Sequence, residues 1–147
     1  MNAGGSPTLD TSRLGPYLEA NVQGFEELLS TEKFAGGQSN PTYRITARSG
    51  EYVLRQKPPG ELLPSAHAVD REFRVLMALS NTDVPLARPY VLCIDENVIG
   101  SMFYVMSYVP GRILWEPTLP TLTEKERGVI FDDIIRVLAL LHEVDTD

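Results

Sequence analysis

The spacing of apolar residues changes from a helical to a strand pattern within the first half of the chain. Between Leu14 and Leu29, apolar residues recur every three or four positions, which predicts one or two short helices broken near Gly24. Further on, apolar and polar side chains alternate, and this period of two predicts β-strands. A turn at residues 49–50 divides the alternating stretch, so residues 42–56 are predicted to form a hairpin.

The second half of the chain mixes helical and strand patterns. The predicted elements are a helix over residues 65–79, strands over 89–94 and 102–108, and a helix from about residue 123 to about His142. Ser65 is the predicted N-cap of the first helix. Thr123 and Glu126 form a predicted capping box at the start of the last helix. Together these elements predict an α+β fold.

The composition is that of a globular chain with an acidic balance. The 147 residues carry a net charge of −7 and are 43% hydrophobic. This charge argues against partners such as nucleic acid or an anionic membrane surface. No stretch approaches the ~20 apolar residues of a membrane span, and the first residues do not resemble a signal peptide, so a cytoplasmic protein is expected. The single cysteine, Cys93, lies in an apolar run and is expected in the core.

The glycine-containing turn at residues 36–40 is the first place that could carry chemistry. Gly36 and Gly37 allow the backbone to approach a ligand closely, and Ser39 and Asn40 add side-chain donors after Gln38. Exposed amides in such a turn can form an anion site. The same residue types are even more common in ordinary turns, so this motif alone is weak.

The strand that follows offers an apolar residue and a cation on one face. Because side chains alternate along a strand, Val53 and Arg55 share one face, and Tyr52 and Leu54 share the other. That pairing suits a purine ring and its phosphates. The alternative is an exposed arginine on a sheet surface.

Glu72 strengthens the case that Arg55 belongs to a binding site. It lies within the apolar stripe of its predicted helix, and its neighbours at three and four positions are Ala68, Val69, Val75 and Leu76. None of them can neutralise a carboxylate, and an unpaired buried charge is costly. Arg55 on the preceding strand is the nearest candidate partner. The alternative is that Glu72 extends to solvent at the sheet edge.

Several motifs together resemble the aminoglycoside-phosphotransferase-like kinases, the superfamily that includes the choline kinases. More narrowly, the chain looks like the branch that accompanies, or is fused to, acyl-CoA dehydrogenases. The resemblance runs from about Leu14 to the C-terminus. It is carried by FAGGQSNPTY at residues 34–43, YVLRQKPPG at 52–60, LPSAHAVDREF at 63–73 and VIGSMFYVM at 98–106, with additions at residues 111–112 and 140–142.

The resemblance implies a protein-kinase-like N-terminal lobe made of an antiparallel sheet of about five strands and one packed helix. Residues 13–109 would form this lobe after a flexible tail of residues 1–12. Residues 110–147 would leave the hinge and begin an incomplete second lobe.

The resemblance also implies a set of nucleotide-binding residues, with ATP as the nucleotide. Arg55 would stand where protein kinases place their strand lysine, and Glu72 would be its partner. The implied set comprises Gly36, Gly37, Gln38, Ser39 and Asn40 over the phosphates, Val53, Arg55 and Glu72, and the hinge residues Met106, Ser107, Tyr108 and Val109, whose backbone would read adenine.

The family's His-Gly-Asp…Asn catalytic loop and its later metal-binding Asp are absent from the sequence. No catalytic and no metal-binding residue is therefore predicted in this chain, and Mg²⁺ is expected only with the missing second lobe. The chain alone is expected to be inactive.

Three functions remain open at this point. The chain is the ATP-binding lobe of a small-molecule phosphotransferase, a noncatalytic nucleotide-binding or interaction module, or a remnant of a split gene. The first is favoured because the nucleotide-side residues are intact. The resemblance suggests a hydroxylated acyl-CoA or another small alcohol as acceptor. The apolar face of the last helix predicts self-association or a partner chain.

Overall fold

The computed structural model of the chain describes residues 9–35, 40–58 and 68–145. In chain order the elements are α1 (Thr11–Asn21), β1 (Leu28–Lys33), β2 (Thr42–Ala47), β3 (Gly50–Gln56), α2 (Val69–Leu79), β4 (Pro89–Cys93), β5 (Phe103–Ser107) and α3 (Glu124–His142). This is the predicted α+β fold, and it matches a kinase-like N-terminal lobe.

The five strands form one antiparallel sheet in the order β1-β2-β3-β5-β4. The predicted hairpin over residues 42–56 is confirmed as β2 and β3, with Thr42 opposite Arg55 and Arg44 opposite Val53. The two strands predicted over 89–94 and 102–108 are confirmed as β4 and β5, which pair with each other. β3 therefore lies at the centre of the sheet, between β2 and β5.

One face of the sheet forms the hydrophobic core with α1. Leu14 and Leu18 of α1 belong to the same buried cluster as Ile45, Leu54 and Val105 of the strands. Asp10 caps the helix by accepting a hydrogen bond from the Ser12 N–H at 3.0 Å. Cys93 is buried in this cluster, as predicted.

The other face of the sheet is partly covered by α2, which packs on β4 and β5. Val69 at the start of the helix is fully buried, and the Phe73 ring lies 5.9 Å from the Tyr104 ring between centroids. Because α2 and α1 lie on opposite faces, the Arg55 side of the sheet is separated from the main core.

Two predicted helix boundaries are wrong. The pattern between Leu14 and Leu29 predicts one or two short helices broken near Gly24, but α1 ends at Asn21 and Leu28 begins β1. A turn intervenes at the predicted break, where Gly24 has a positive φ of 79° that favours glycine. β1 is an edge strand whose burial does not alternate, so its sequence carries no period of two. The predicted tail of residues 1–12 overlaps the start of α1, and residues 1–8 lie outside the described residues.

The second boundary is the start of α2. The helix was predicted from Ser65, but it begins at Val69, and Ala68 occupies the N-cap position without a side-chain hydrogen bond. Ser65 itself lies outside the described residues. The spacing of apolar residues indicates which face of a helix is buried, but it does not identify the residue at which the helix begins.

The last helix has the predicted start and an exposed surface. The capping box is confirmed, since Thr123 and Glu126 each accept a hydrogen bond from the other's backbone N–H. No residue of α3 is buried. Many of its large apolar side chains, among them Phe131, Ile134, Leu138 and Leu141, are exposed. No helix within the described ranges is long and apolar enough to cross a membrane.

Candidate nucleotide-binding site

Strand register builds the candidate site as two neighbouring rows of side chains. Thr42, Arg55 and Tyr104 lie opposite one another on β2, β3 and β5, and Arg44, Val53 and Met106 form the next row. Directly opposite residues on adjacent strands hold their side chains on the same face. Residues distant in sequence therefore converge on the face that α2 borders.

Arg55 and Glu72 form the ion pair that the helical stripe predicted. Arg55 Nε lies 2.7 Å from Glu72 Oε2, and Arg55 Nη2 lies 3.4 Å from Glu72 Oε1. The two side chains are 32% and 37% exposed, so solvent partly screens the pair. Glu72 thus has a partner from another element, and the alternative of a carboxylate directed only at solvent is wrong.

Two further side chains donate hydrogen bonds to the Glu72 carboxylate. The Tyr104 hydroxyl lies 3.0 Å from Oε2, and the Asn40 amide Nδ2 lies 3.1 Å from Oε1. Each carboxylate oxygen therefore accepts from Arg55 and from one neutral donor. Burial, followed by the charge and hydrogen bond of Glu72, raises the pKa of the Tyr104 hydroxyl. A tyrosine hydroxyl is a donor at neutral pH in any case, and the raised pKa keeps Tyr104 a donor above the pH at which a free tyrosine ionises.

Asn40 occupies a different position from that expected of a turn residue. It is buried, with its amide directed at Glu72, and its backbone carbonyl accepts a hydrogen bond from Thr42 Oγ1 at 3.0 Å. The end of the glycine-containing turn is therefore attached to the ion pair. Gly36, Gly37, Gln38 and Ser39 lie outside the described residues, and their contact with phosphates stays a prediction.

The predicted hinge, Met106 to Val109, continues from the end of β5. The Ser107 N–H donates to the carbonyl of Arg88 at 2.8 Å, and the Tyr108 N–H donates to the carbonyl of Glu51 at 3.4 Å. Val109 is 62% exposed, and its N–H has no hydrogen-bond partner within the described part of the chain. Among the last three hinge residues, Val109 is the one whose backbone donor is available to a ligand.

Sequence reasoning missed Tyr104 as a site residue and did not anticipate the contact of Asn40 with Glu72. Tyr104 lies in a strand that is apolar on both faces, so nothing in its local pattern marked it. The available signal was alternation, since Tyr104 is two residues from the predicted hinge residue Met106 and shares its face. The register between β3 and β5 then places Tyr104 opposite Arg55.

A groove with a volume of about 620 Å³ lies at the corner between the end of α2 and the start of β4. Its lining residues are Met77, Ser80, Asn81, Val84, Pro85, Leu86, Arg88 and Pro89. None of them was predicted as a site residue. Within the described ranges, no cluster of three or more His, Cys, Asp or Glu residues could hold a metal ion.

Comparison with known proteins identifies the family. The sequence model described as "Phosphotransferase enzyme family" matches residues 30–147. The chain belongs to this family.

The relatives also agree with the narrower resemblance. The chain is 44% identical over 146 residues to "Probable acyl-CoA dehydrogenase IBR3" of Arabidopsis thaliana, covering 94% of this chain and 18% of that protein. It is 41% identical over 140 residues to mouse "Acyl-CoA dehydrogenase family member 11", and the match covers 92% of this chain and 18% of that protein. The chain thus spans less than a fifth of these curated relatives.

A solved structure has the same fold. A Ralstonia eutropha protein with the provisional name aminoglycoside phosphotransferase superimposes with a TM-score of 0.79 at 44% identity. The match covers 93% of this chain and 39% of that chain. The predicted kinase-like fold and family are therefore confirmed.

Proposed function

We propose that this chain supplies the ATP-binding lobe of a small-molecule phosphotransferase, with residues 13–109 as the lobe and residues 110–147 as the beginning of a second lobe. The observation that carries the proposal is the Arg55–Glu72 ion pair at 2.7 Å. Phosphoryl transfer depends on cations held in place around the phosphates. A guanidinium fixed by a carboxylate on a separate helix provides such a preorganised cation.

Arg55 is proposed to contact the nucleotide phosphates, while Glu72 orients it. Besides Arg55, the Glu72 carboxylate accepts hydrogen bonds from Tyr104 and Asn40. Glu72 is therefore fixed even if Arg55 turns one of its nitrogens toward a phosphate oxygen. This division of contacts supports a role in orienting Arg55 beyond simple charge neutralisation.

The adenine base is proposed to lie against Val53 and Met106 and to accept a hydrogen bond from the Val109 N–H. Val53 and Met106 are opposite each other in the sheet, next to the row that contains Arg55. A purine needs an apolar surface and a few directional partners. Val109 is an exposed residue at the end of that surface, and its N–H, which has no hydrogen-bond partner in the described part of the chain, is suited to supply one of them.

The acceptor is proposed to be an alcohol group, with a hydroxyacyl-CoA as the favoured substrate. The names of the curated relatives support this choice, because they contain the words acyl-CoA dehydrogenase. Mg²⁺ would neutralise charge on the phosphates in the complete enzyme, together with residues of the second lobe. The contribution of this chain is to bind and orient the nucleotide.

Nucleotide titration tests the proposal directly. A fluorescent ATP analogue should bind the purified chain, and Arg55→Ala should weaken binding by roughly ten- to a hundredfold, because a charge-assisted contact to an anion contributes roughly 1.5–3 kcal/mol. Arg74→Ala is the matched control, since Arg74 pairs with Asp70 on the exposed side of α2. Absence of binding to the wild-type chain, or equal losses in the two variants, would refute the proposal.

A second titration tests the hinge. Val109→Pro removes the backbone N–H, whereas Val109→Ala keeps it. We expect the proline variant to bind the analogue more weakly than the alanine variant. Equal affinities would show that adenine does not use this donor.

A noncatalytic interaction module is the second candidate, and the exposed face of α3 favours it. Six large apolar side chains on this helix are exposed, namely Val129, Phe131, Ile134, Ile135, Leu138 and Leu141. Under this alternative the chain associates through α3, and Arg55→Ala leaves that association unchanged. The nucleotide titration distinguishes the candidates, because an interaction module without a nucleotide site should bind the ATP analogue no better in the wild type than in Arg55→Ala.

A further inference from the structure

A second arginine, Arg44, lies on the same sheet face as Arg55 but is bound to different partners. Its Nε donates to Glu51 Oε1 at 2.8 Å, and its Nη2 contacts the same oxygen. The guanidinium carbon lies 4.6 Å from the centroid of the Tyr108 ring. This distance is within the range of a cation–π contact. Arg44 therefore joins Glu51 on β3 to the hinge residue Tyr108.

Arg44, Glu51 and Tyr108 all contact one another. The Glu51 carbonyl accepts a hydrogen bond from the Tyr108 N–H, while the Glu51 carboxylate holds the guanidinium that covers the Tyr108 ring. Glu51 thus contacts the backbone of Tyr108 directly and the ring of Tyr108 through Arg44. Val109, with its available N–H, follows directly.

We infer that Arg44, Glu51 and Tyr108 form a hinge clamp, in which Arg44 is a positioning residue that fixes the Val109 N–H for the adenine base. This inference rests on the proposed function and deepens it. It assigns the two arginines of this face to different parts of one nucleotide. Arg55 acts on the phosphates, and Arg44 acts on the base through the hinge without touching the ligand.

The alternative is an ordinary surface ion pair. Arg44 and Glu51 are 36% and 38% exposed, and pairs of this kind contribute little to global stability. Both accounts therefore expect a small effect of Arg44→Ala on unfolding. They differ at the hinge, because only the clamp restricts local opening of Tyr108 and Val109.

Amide hydrogen exchange of the nucleotide-free chain measures that opening. Loss of an exposed cation–π contact corresponds to roughly a two- to fivefold change in an equilibrium constant. Arg44→Ala should speed exchange of the Tyr108 amide by about that factor. Tyr108→Phe, which keeps the ring, should exchange like the wild type. Arg48→Ala is the matched control, since Arg48 pairs with Glu27 on the β1 side of β2, away from β3. Unchanged exchange of Tyr108 in Arg44→Ala would overturn the clamp.

Titration with adenosine and with ATP separates the roles of the two arginines. Adenosine lacks phosphates, so Arg44→Ala should weaken both ligands by the same roughly two- to fivefold factor, while Arg55→Ala should weaken ATP alone. NMR shift changes can follow weak binding of adenosine. If Arg44→Ala weakens ATP but spares adenosine, Arg44 acts on the phosphates and the inference is wrong. If the wild-type chain binds neither ligand, the proposed function fails, and the exchange result alone decides whether the clamp exists.

Discussion

The Tyr104 hydroxyl donates a hydrogen bond to the Glu72 carboxylate, with 3.0 Å between Tyr104 Oη and Glu72 Oε2. The same oxygen accepts from Arg55 Nε at 2.7 Å. Because Tyr104 lies on β5 and Arg55 on β3, one carboxylate links α2 to two strands of the sheet. The position of α2 and the orientation of Arg55 are therefore set together.

The ion pair leads to the first prediction. Arg55→Ala and Glu72→Ala should each lower the free energy of unfolding by roughly 1–2 kcal/mol, below the cost for a fully buried pair, because both side chains are about a third exposed. The double variant should lose less than the sum of the two single losses. Urea unfolding of the four proteins measures this coupling. Arg74→Ala should change stability by less than about 0.5 kcal/mol, and strict additivity would contradict the pair.

The second prediction concerns the Tyr104 hydrogen bond. Tyr104→Phe removes a partly buried donor and should lower the free energy of unfolding by about 1 kcal/mol. Tyr90→Phe is the matched control, because no hydrogen bond of the Tyr90 hydroxyl is present in the described part of the chain and its ring packs against Tyr52. Equal effects of the two substitutions on the urea midpoint would show that the contact with Glu72 contributes nothing.

The raised pKa of Tyr104 gives a third prediction, on alkaline stability. Below about pH 10 the hydroxyl is protonated in both the folded and the unfolded chain, so it adds no pH dependence. Above that pH the unfolded chain releases the proton and the folded chain keeps it, so stability falls as pH rises. Burial also raises the pKa of Tyr17 and Tyr43. Each of these tyrosines contributes to the loss of stability at alkaline pH, and Tyr104→Phe removes the contribution of Tyr104.

The stability difference between the wild type and Tyr104→Phe should therefore shrink between about pH 8 and about pH 10.5. Urea unfolding at the two pH values tests this directly. A difference that stays constant would mean that Tyr104 ionises as readily in the folded chain as in the unfolded one, and a difference that grows with pH would mean that it ionises more readily in the folded chain.

The fourth prediction is that the 147-residue chain transfers no phosphoryl group by itself. Transfer needs a residue that positions the acceptor hydroxyl and ligands for Mg²⁺, and Arg55 supplies neither. ADP production with hydroxylated acceptors, including hydroxyacyl-CoAs, should stay at the background rate. Turnover that Arg55→Ala abolishes would show instead that the chain carries a complete active site.

The exposed face of α3 leads to the fifth prediction. Soluble monomers rarely leave an apolar patch of several hundred Å² uncovered, so the chain should self-associate. Leu138→Lys places a charge in the apolar face and should reduce the sedimentation coefficient toward that of a monomer. Arg136→Lys introduces the same residue at an ion-paired surface position and should leave association unchanged. A monodisperse wild-type monomer that binds no hydrophobic dye would rule this out.

Much of the fold could be predicted from local periodicity. The hairpin of β2 and β3, the strands β4 and β5, and the capping box of α3 all follow from patterns within short segments. The Arg55–Glu72 contact was also predictable, although its residues belong to different elements. Glu72 lies in an apolar stripe without a cation at helical spacing, so its own helix required a partner from outside.

β1, the roles of Tyr104 and Asn40, and the hinge contacts required the tertiary structure. β1 is held by backbone pairing with β2 at the sheet edge, and its side chains do not alternate in burial. Tyr104 reaches Glu72 only because β3 and β5 pair in the register that sets it opposite Arg55. A single segment records its own period of burial, whereas the register of β3 and β5 depends on how the buried faces of segments far apart in the chain fit together. The sequence by itself therefore determined the elements other than β1 and the central ion pair, and the pairing of the strands decided which side chains surround that pair.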